Sequence, residues 1–201
     1  FCIFKIIGLK NASNLGSILG RFIGPLFRSK NIIKQNIKIG LGNLDEKEEE
    51  KIVNGMWSNI GRTFAEYIFL KDFKLNKTSF DHIKINGTNY LNEIKKTNKP
   101  VVFFSCHLAN FELMAMELDK FGIKCAAIYR PLNNIFLNPL MEYLRMKYIC
   151  PNQIPKGRVG VRDVIKKIKD GYSIALMVDQ RVGQAPKIPF FGKPAHTTTI
   201  P

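Results

Sequence analysis

Apolar residues recur along this chain in two different periods, and the change between them divides it. Ile52, Val53, Met56, Trp57, Ile60, Phe64, Tyr67 and Ile68 return every three or four residues, which predicts a helix with one buried face. Asp45 stands where its N-cap belongs, and Glu48 follows three residues later as in a capping box. The acidic run Asp45 to Glu50 then reads as a solvated first turn. Ahead of it, residues 1–42 are apolar, basic and punctuated by glycine. Ile18, Leu19, Phe22, Ile23, Leu26 and Phe27 fall on one face of a helix that should break near Gly24-Pro25. Residues 36–44 read as a loop.

From His82 the period shortens. Strands are predicted at 82–86, 101–106, 123–129 and 172–178, and helices at 89–96, 110–121, 135–148 and 161–169. Residues 151–157 read as a loop. The run Val101 to Cys106 is rich in β-branched and aromatic residues, which predicts a central strand buried on both faces. Strands alternating with helices imply an α/β fold, a largely parallel central sheet flanked by helices. The organisation is therefore an N-terminal segment at 1–44 and an α/β domain at 45–201. The chain opens in mid-run at Phe1 and stops at Pro201, beyond the cluster Thr197 to Thr199, so it reads as a section of a longer protein.

Charge sharpens the view of the first segment. The net charge is +15, and no acidic residue precedes Asp45, while Lys5, Lys10, Arg21, Arg28, Lys30, Lys34 and Lys38 lie among apolar residues. That mixture suits an anionic membrane surface. A nucleic acid is the competing partner for so basic a chain. No zinc-ligand spacing, RNP-like strand or helix-turn-helix accompanies the charge, so no nucleic acid is expected. No apolar run reaches the length of a membrane span. The four cysteines contain no C-x-x-C pair, which indicates neither a zinc site nor a disulfide framework. H-E-x-x-H is absent, and Gly157-x-x-Gly160 lacks the phosphate-loop patterns, so no metal site is expected.

Candidate chemistry gathers where strands end. His107 and Glu112 follow the 101–106 run, with Asn110 between them as the expected N-cap of the next helix. With that cap, His107 lies in the turn before the helix and Glu112 in its first turn. The imidazole can then fold over the carboxylate as a general base with an orienter. Ordinary readings exist: the helix dipole alone favours a glutamate in a first turn, and a single histidine is often structural. Arg130 ends the next strand and Asp179-Gln180 the last, and a parallel sheet sets such ends along one edge. Arg130 suits an anion or a developing oxyanion. Asp179 suits holding an arginine, with Arg130, Arg158 and Arg162 as candidates.

These residues resemble a known family. His107-Leu108-Ala109-Asn110-Phe111-Glu112 resembles the H-x4-D/E motif of glycerolipid-type acyltransferases. Tyr129 to Asn134, then Arg158, Arg162, Lys169-Asp170-Gly171 and Asp179-Gln180, then Phe190-Phe191-Gly192 with Thr197 to Thr199, resemble successive blocks of one branch. That branch is the late acyltransferases of lipid A biosynthesis, the lauroyl and myristoyl transferases. The resemblance implies a glycerolipid acyltransferase-like fold with a membrane-associated helical N-terminus. It implies transfer of a fatty acyl chain from an acyl carrier protein thioester to a hydroxyl of a lipid A precursor, at the cytoplasmic face of a bacterial inner membrane. His107 and Glu112 would be catalytic, and no cofactor would be required. Asn110, Arg130, Arg158, Arg162, Asp179, Gln180, Phe190, Phe191 and Gly192 would bind substrate, with the arginines able to meet lipid phosphates. The partners implied are acyl carrier protein, an anionic glycolipid and the membrane surface. Phosphatidylinositol mannoside acyltransferases share the general motif, which leaves another glycolipid or a lysophospholipid as alternative acceptors.

Overall fold

A computed structural model describes residues 2–77, 83–179 and 185–197. The chain divides into two compact units, Phe1–Phe69 with Lys187–Ala195 and Leu70–Pro186 with His196–Pro201.

In the first unit, helix α1 (Cys2–Ile23), interrupted at Gly8 where φ is 79°, packs along α3 (Glu46–Glu66). Glycine permits the pairing. A Cβ on Gly20 would lie 2.3 Å from the Trp57 carbonyl oxygen, and one on Gly61 2.0 Å from that of Gly16. The two backbones therefore touch where any side chain would hold them apart. Hydroxyl and charged groups lace the same seam: Ser13 Oγ donates to Glu66 Oε1 (2.8 Å), Ser17 and Ser58 share a bond (2.7 Å), and Arg62 donates to Ser13 (3.0 Å). Large apolar side chains point the other way, with Ile6, Phe22, Leu26 and Phe27 each about four-fifths exposed. As the sequence predicts, α1 ends before a short 3-10 turn at Gly24–Leu26 containing Pro25. Asp45 accepts from the Glu48 N–H at 2.8 Å and starts α3. Residues 36–41, expected in a loop, instead continue α2 (Lys30–Leu41). Ile33, Ile37 and Gly40 fall on its covered side at helical spacing, and Gly42 at φ 82° ends it.

The second unit is α/β. After α4 (Leu70–Lys74) and α5 (Thr88–Thr97) come β1 (Val102–Ser105), α6 (Glu112–Lys120), β2 (Cys125–Tyr129), α7 (Leu137–Leu144), β3 (Asn152–Pro155), α8 (Arg158–Lys169) and β4 (Ser173–Met177). The four strands form one wholly parallel sheet in the order β1-β4-β2-β3. Ala126, Ile154, Ile174 and Leu176 form a core cluster on it, with Val164 of α8 packed against them. Met116 of α6, Ile149 and Cys150 are fully buried in the same unit. The sheet topology sets the C-terminal ends of all four strands along one edge, the property on which the site depends.

Four expectations need correction. Residues 83–86 form no strand, and His82 lies outside the described residues. Residues 152–155, read as loop, pair with β2 as an edge strand; their Asn-Gln-Ile-Pro sequence carries one buried apolar side chain, Ile154, too little for a pattern. The run at 101–106 is an edge strand rather than the central one, with Val102 and Phe104 exposed. The strand buried on nearly every residue is β4. The helix expected at 135–148 begins at Leu137, which brings Pro139 into its first turn, and from Arg145 to Ile149 it widens into a π-helical turn.

Residues 187–195 carry most of a hairpin, β5 (Lys187–Phe190) and β6 (Lys193–His196). Phe191 and Gly192 both take positive φ at its tip, 47° and 69°, as a type I′ two-residue hairpin turn requires. The rings of Phe190 and Phe191 meet edge to face at 4.6 Å.

Candidate active site

Adjacent strands bring the central pair together. β1 and β4 run in register, Ser105 beside Met177, and each is followed two residues later by a polar side chain, His107 and Asp179. Asp179 takes both donors that His107 offers. Its Oδ2 accepts the His107 backbone N–H at 2.8 Å, and its Oδ1 lies 2.7 Å from Nδ1 of the ring. Burial pushes the Asp179 carboxyl up, but the backbone and ring contacts of His107 outweigh it and hold the carboxyl below its ordinary value. An ionised carboxylate only accepts, so Nδ1 carries the proton and Nε2 is the basic nitrogen. Phe111 meets the imidazole edge to face, 4.6 Å between centroids.

The turn between His107 and Glu112 is tight. The Leu108 N–H donates to the Cys106 carbonyl at 2.8 Å, and Ala109 sits at φ 47°. An alanine in the left-handed region is strained, and such strain clusters at functional sites. α6 begins at Glu112 with Phe111 in the cap position and no side-chain cap. The capping expected of Asn110 is therefore replaced by a backbone contact, its carbonyl accepting from the Leu113 N–H at 3.2 Å.

Glu112 is buried, and its carboxylate is held by Arg145. Nε of Arg145 donates at 3.0 and 3.3 Å and Nη2 closes the fork. The ring's carboxylate partner is thus Asp179, where the sequence pointed to Glu112. Asp179 in turn holds His107, where the sequence pointed to an arginine. Each difference comes from a non-local contact. The register of β1 and β4 sets Asp179 beside His107, and Arg145, at the C-terminal end of α7, reaches Glu112 at the start of α6.

Arg145 heads a further chain of contacts. Its guanidinium lies 6.0 Å from the centre of the Tyr129 ring, and Tyr129 donates its hydroxyl to Glu142 at 2.6 Å. Asn138 donates to Glu142 at 2.8 Å and accepts from the Leu132 N–H at 2.7 Å. Burial, then Glu142, push the Tyr129 phenol up to about 12, while Tyr129 and Asn138 hold the Glu142 carboxyl below its ordinary value. Sequence reasoning assigned no role to Arg145, Glu142, Asn138 or Lys156. A readable signal existed for the first three: polar residues at 138, 142 and 145, spaced i, i+4, i+7 in an otherwise apolar segment.

A cavity of about 450 Å³ opens beside this array. His107, Glu112 and Arg145 lie on its wall, and Phe111, Met114, Ile128, Leu132, Val164 and Leu176 are among its apolar lining. Arg130 and Lys156, at the ends of β2 and β3, add cations to it. Burial, with the Arg130 charge second, lowers the Lys156 ammonium from its ordinary value. A mostly apolar cavity with a few converging polar groups is the usual form of a small-molecule site. Arg162 is exposed on α8 and is not among the lining residues. The side chain of Arg158 and the whole of Gln180 lie outside what is described, as do Thr198 and Thr199. Phe190, Phe191 and Gly192 form the hairpin tip described above.

Two comparisons bear on this geometry. The chain is 24% identical over 169 residues to lipid A biosynthesis acyltransferase 2 of Shigella flexneri, an alignment covering 82% of this chain and 52% of that protein. The chain thus spans about half the length of the curated relative it matches. A family model described as bacterial lipid A biosynthesis acyltransferase matches residues 1–201, and the chain belongs to that family.

Proposed function

We propose that this chain supplies the acyl-transfer core of an enzyme that moves a fatty acyl chain from an acyl carrier protein thioester to a hydroxyl of a lipid A precursor. The observation that carries the reading is His107, held by Asp179, on the wall of a cationic, largely apolar cavity. Asp179 holds the tautomer in which Nε2 faces the acceptor. Nε2 takes the proton of the acceptor hydroxyl as its oxygen attacks the thioester carbonyl. The tetrahedral intermediate collapses, the carbon–sulfur bond breaks, and the imidazolium returns its proton to the departing thiolate. Glu112 serves the same centre through Arg145, whose position on the cavity wall it fixes. Arg130 and Lys156 suit the phosphates of an anionic acceptor or the developing oxyanion. The apolar lining suits an acyl chain.

The first unit supports a membrane setting for this chemistry. Its helices meet through glycines and hydroxyls around the buried Trp57 ring, while α1 and the turn after it carry Ile6, Phe22, Leu26 and Phe27 outward, an arrangement suited to an apolar medium. Among the described residues no helix is long and apolar enough to cross a membrane. Attachment at the anionic cytoplasmic face of an inner membrane, with the basic residues among the lipid headgroups, is the fitting mode.

The test is acyl transfer by purified full-length protein from an acyl carrier protein thioester to a lipid A precursor. His107→Ala should lose roughly a hundredfold or more, the contribution of a general base. Near-normal turnover in that variant would end the mechanism.

A further inference from the structure

Helix α7 is built inside out. Its inward positions are polar: Asn138 and Glu142, with Arg145 just past its C-terminal end, belong to the contacts that brace the cavity wall. Its outward positions are apolar: Phe136 just before it is 84% exposed, and Leu140 and Tyr143 follow at i+4 and i+7. Ile135 (74%) and Leu137 (50%) widen the patch, and no residue of α7 is buried. Folding of the unit does not account for such a face, since water is a poor solvent for it. Contiguous exposed apolar surface of this kind marks an interaction site.

The surroundings say what the face meets. Lys147 sits at its C-terminal edge, its ammonium 2.5 Å from the Tyr143 hydroxyl and 5.5 Å from the centre of the Tyr148 ring. Lysine and tyrosine bordering an apolar strip are the side chains that place a polar tip in water and a stem in hydrocarbon. The one carboxylate of the helix, Glu142, is turned inward onto Tyr129 and Asn138, which leaves the outward face without an anion. The strip also adjoins the cavity. Arg130, Pro131, Leu132 and Asn133, immediately before it, line that cavity, and Asn138 ties the Leu132 backbone to α7. An apolar, cation-edged helix that opens onto a cavity fits an anionic bilayer better than it fits a folded protein surface, which would also need polar partners on the outward face.

We infer that the Phe136–Tyr143 face docks on an anionic lipid bilayer, holding the cavity mouth at the headgroup level where an amphiphilic acceptor enters. The inference rests on the reading of the cavity as an acyl-transfer site. Neither Phe136 nor Leu140 lines the cavity, so the surface is separable from the chemistry.

The experiment uses full-length protein carrying Phe136→Trp, with the parent protein as the baseline for its own tryptophans. Vesicles of phosphatidylglycerol and brominated phosphatidylcholine should quench the introduced tryptophan. Emission that is already blue-shifted without vesicles and unquenched by them would mean that a protein surface, a second copy or another part of the chain, covers the strip. Red-shifted, unquenched emission would mean that the strip stays in water. Either result overturns the inference. Phe136→Asp with Leu140→Ser should lower acyl transfer on vesicles roughly tenfold, because interfacial binding follows buried apolar area, and leave transfer to detergent-dispersed acceptor intact. Equal loss in both media would also overturn it. Quenching without any acyl transfer by the parent protein would sink the enzymatic reading alone.

Discussion

Removing the Arg145 guanidinium should cost this protein more than any other single truncation at the site. Glu112 is 7% exposed and the Arg145 side chain 13%, and Nε of the arginine donates to both carboxylate oxygens. Arg145→Met leaves that carboxylate buried without its counter-charge. Breaking a buried pair from one side costs about 3–5 kcal/mol, because the abandoned charge has lost water and gained nothing. For a chain of this size that corresponds to a fall in Tm of roughly 6–20 °C. Replacing both partners, Arg145→Met with Glu112→Gln, removes the stranded charge and should restore most of the loss, since such pairs are often near neutral against uncharged replacements. The assay is thermal and urea unfolding followed by far-ultraviolet circular dichroism. Fluorescence of Trp57, the single tryptophan of this chain, would report the other unit. If Arg145→Met unfolds within about 1 kcal/mol of the parent and the double variant is no more stable than the single, the pair does not hold the cavity wall.

Four further outcomes follow from the structure. Asp179→Asn should retain the fold and lower turnover strongly, since an amide can present its N–H to the ring and reverse the tautomer; wild-type turnover in the folded variant would remove Asp179 from the mechanism. The Asp179 carboxyl is held below its ordinary value, so its contribution to stability is present above about pH 3.9 and is lost as pH falls through the lower native value; carbon-detected acid titration should show that depressed midpoint. The Tyr129 phenol is raised to about 12, so its contribution is complete below the ordinary value of about 10 and is lost as pH rises toward 12; ultraviolet titration of the parent against Tyr129→Phe checks this. Gly61→Val should drive a side chain into the Gly16 backbone and separate α1 from α3 at a cost of about 1–3 kcal/mol, read as loss of helix signal and of vesicle binding.

The sequence by itself determined the class of this fold and the strand ends that gather the candidate site. Alternating short apolar runs and helical stripes specified a parallel α/β sheet, because the two periods are imposed by backbone geometry and survive any packing arrangement. Polar residues at the ends of those runs identified His107, Arg130 and Asp179, because a parallel sheet sends every strand end to the same edge. The Asp45 cap and the break at Gly24-Pro25 were legible for the same reason, each being decided within a few residues. Tertiary structure decided the partners. Whether His107 turns to Glu112, five residues away, or to Asp179, seventy-two away, depends on β1 pairing with β4, a non-local choice that no spacing encodes. Strand order likewise made β1 an edge and β4 central, and it drew the short run at 152–155 into the sheet, since pairing with β2 compensates for a sequence of little apolar content. Arg145 was legible as a polar position at helical spacing after Asn138 and Glu142, but its pairing with Glu112, thirty-three residues away, depends on how the end of α7 packs against the start of α6.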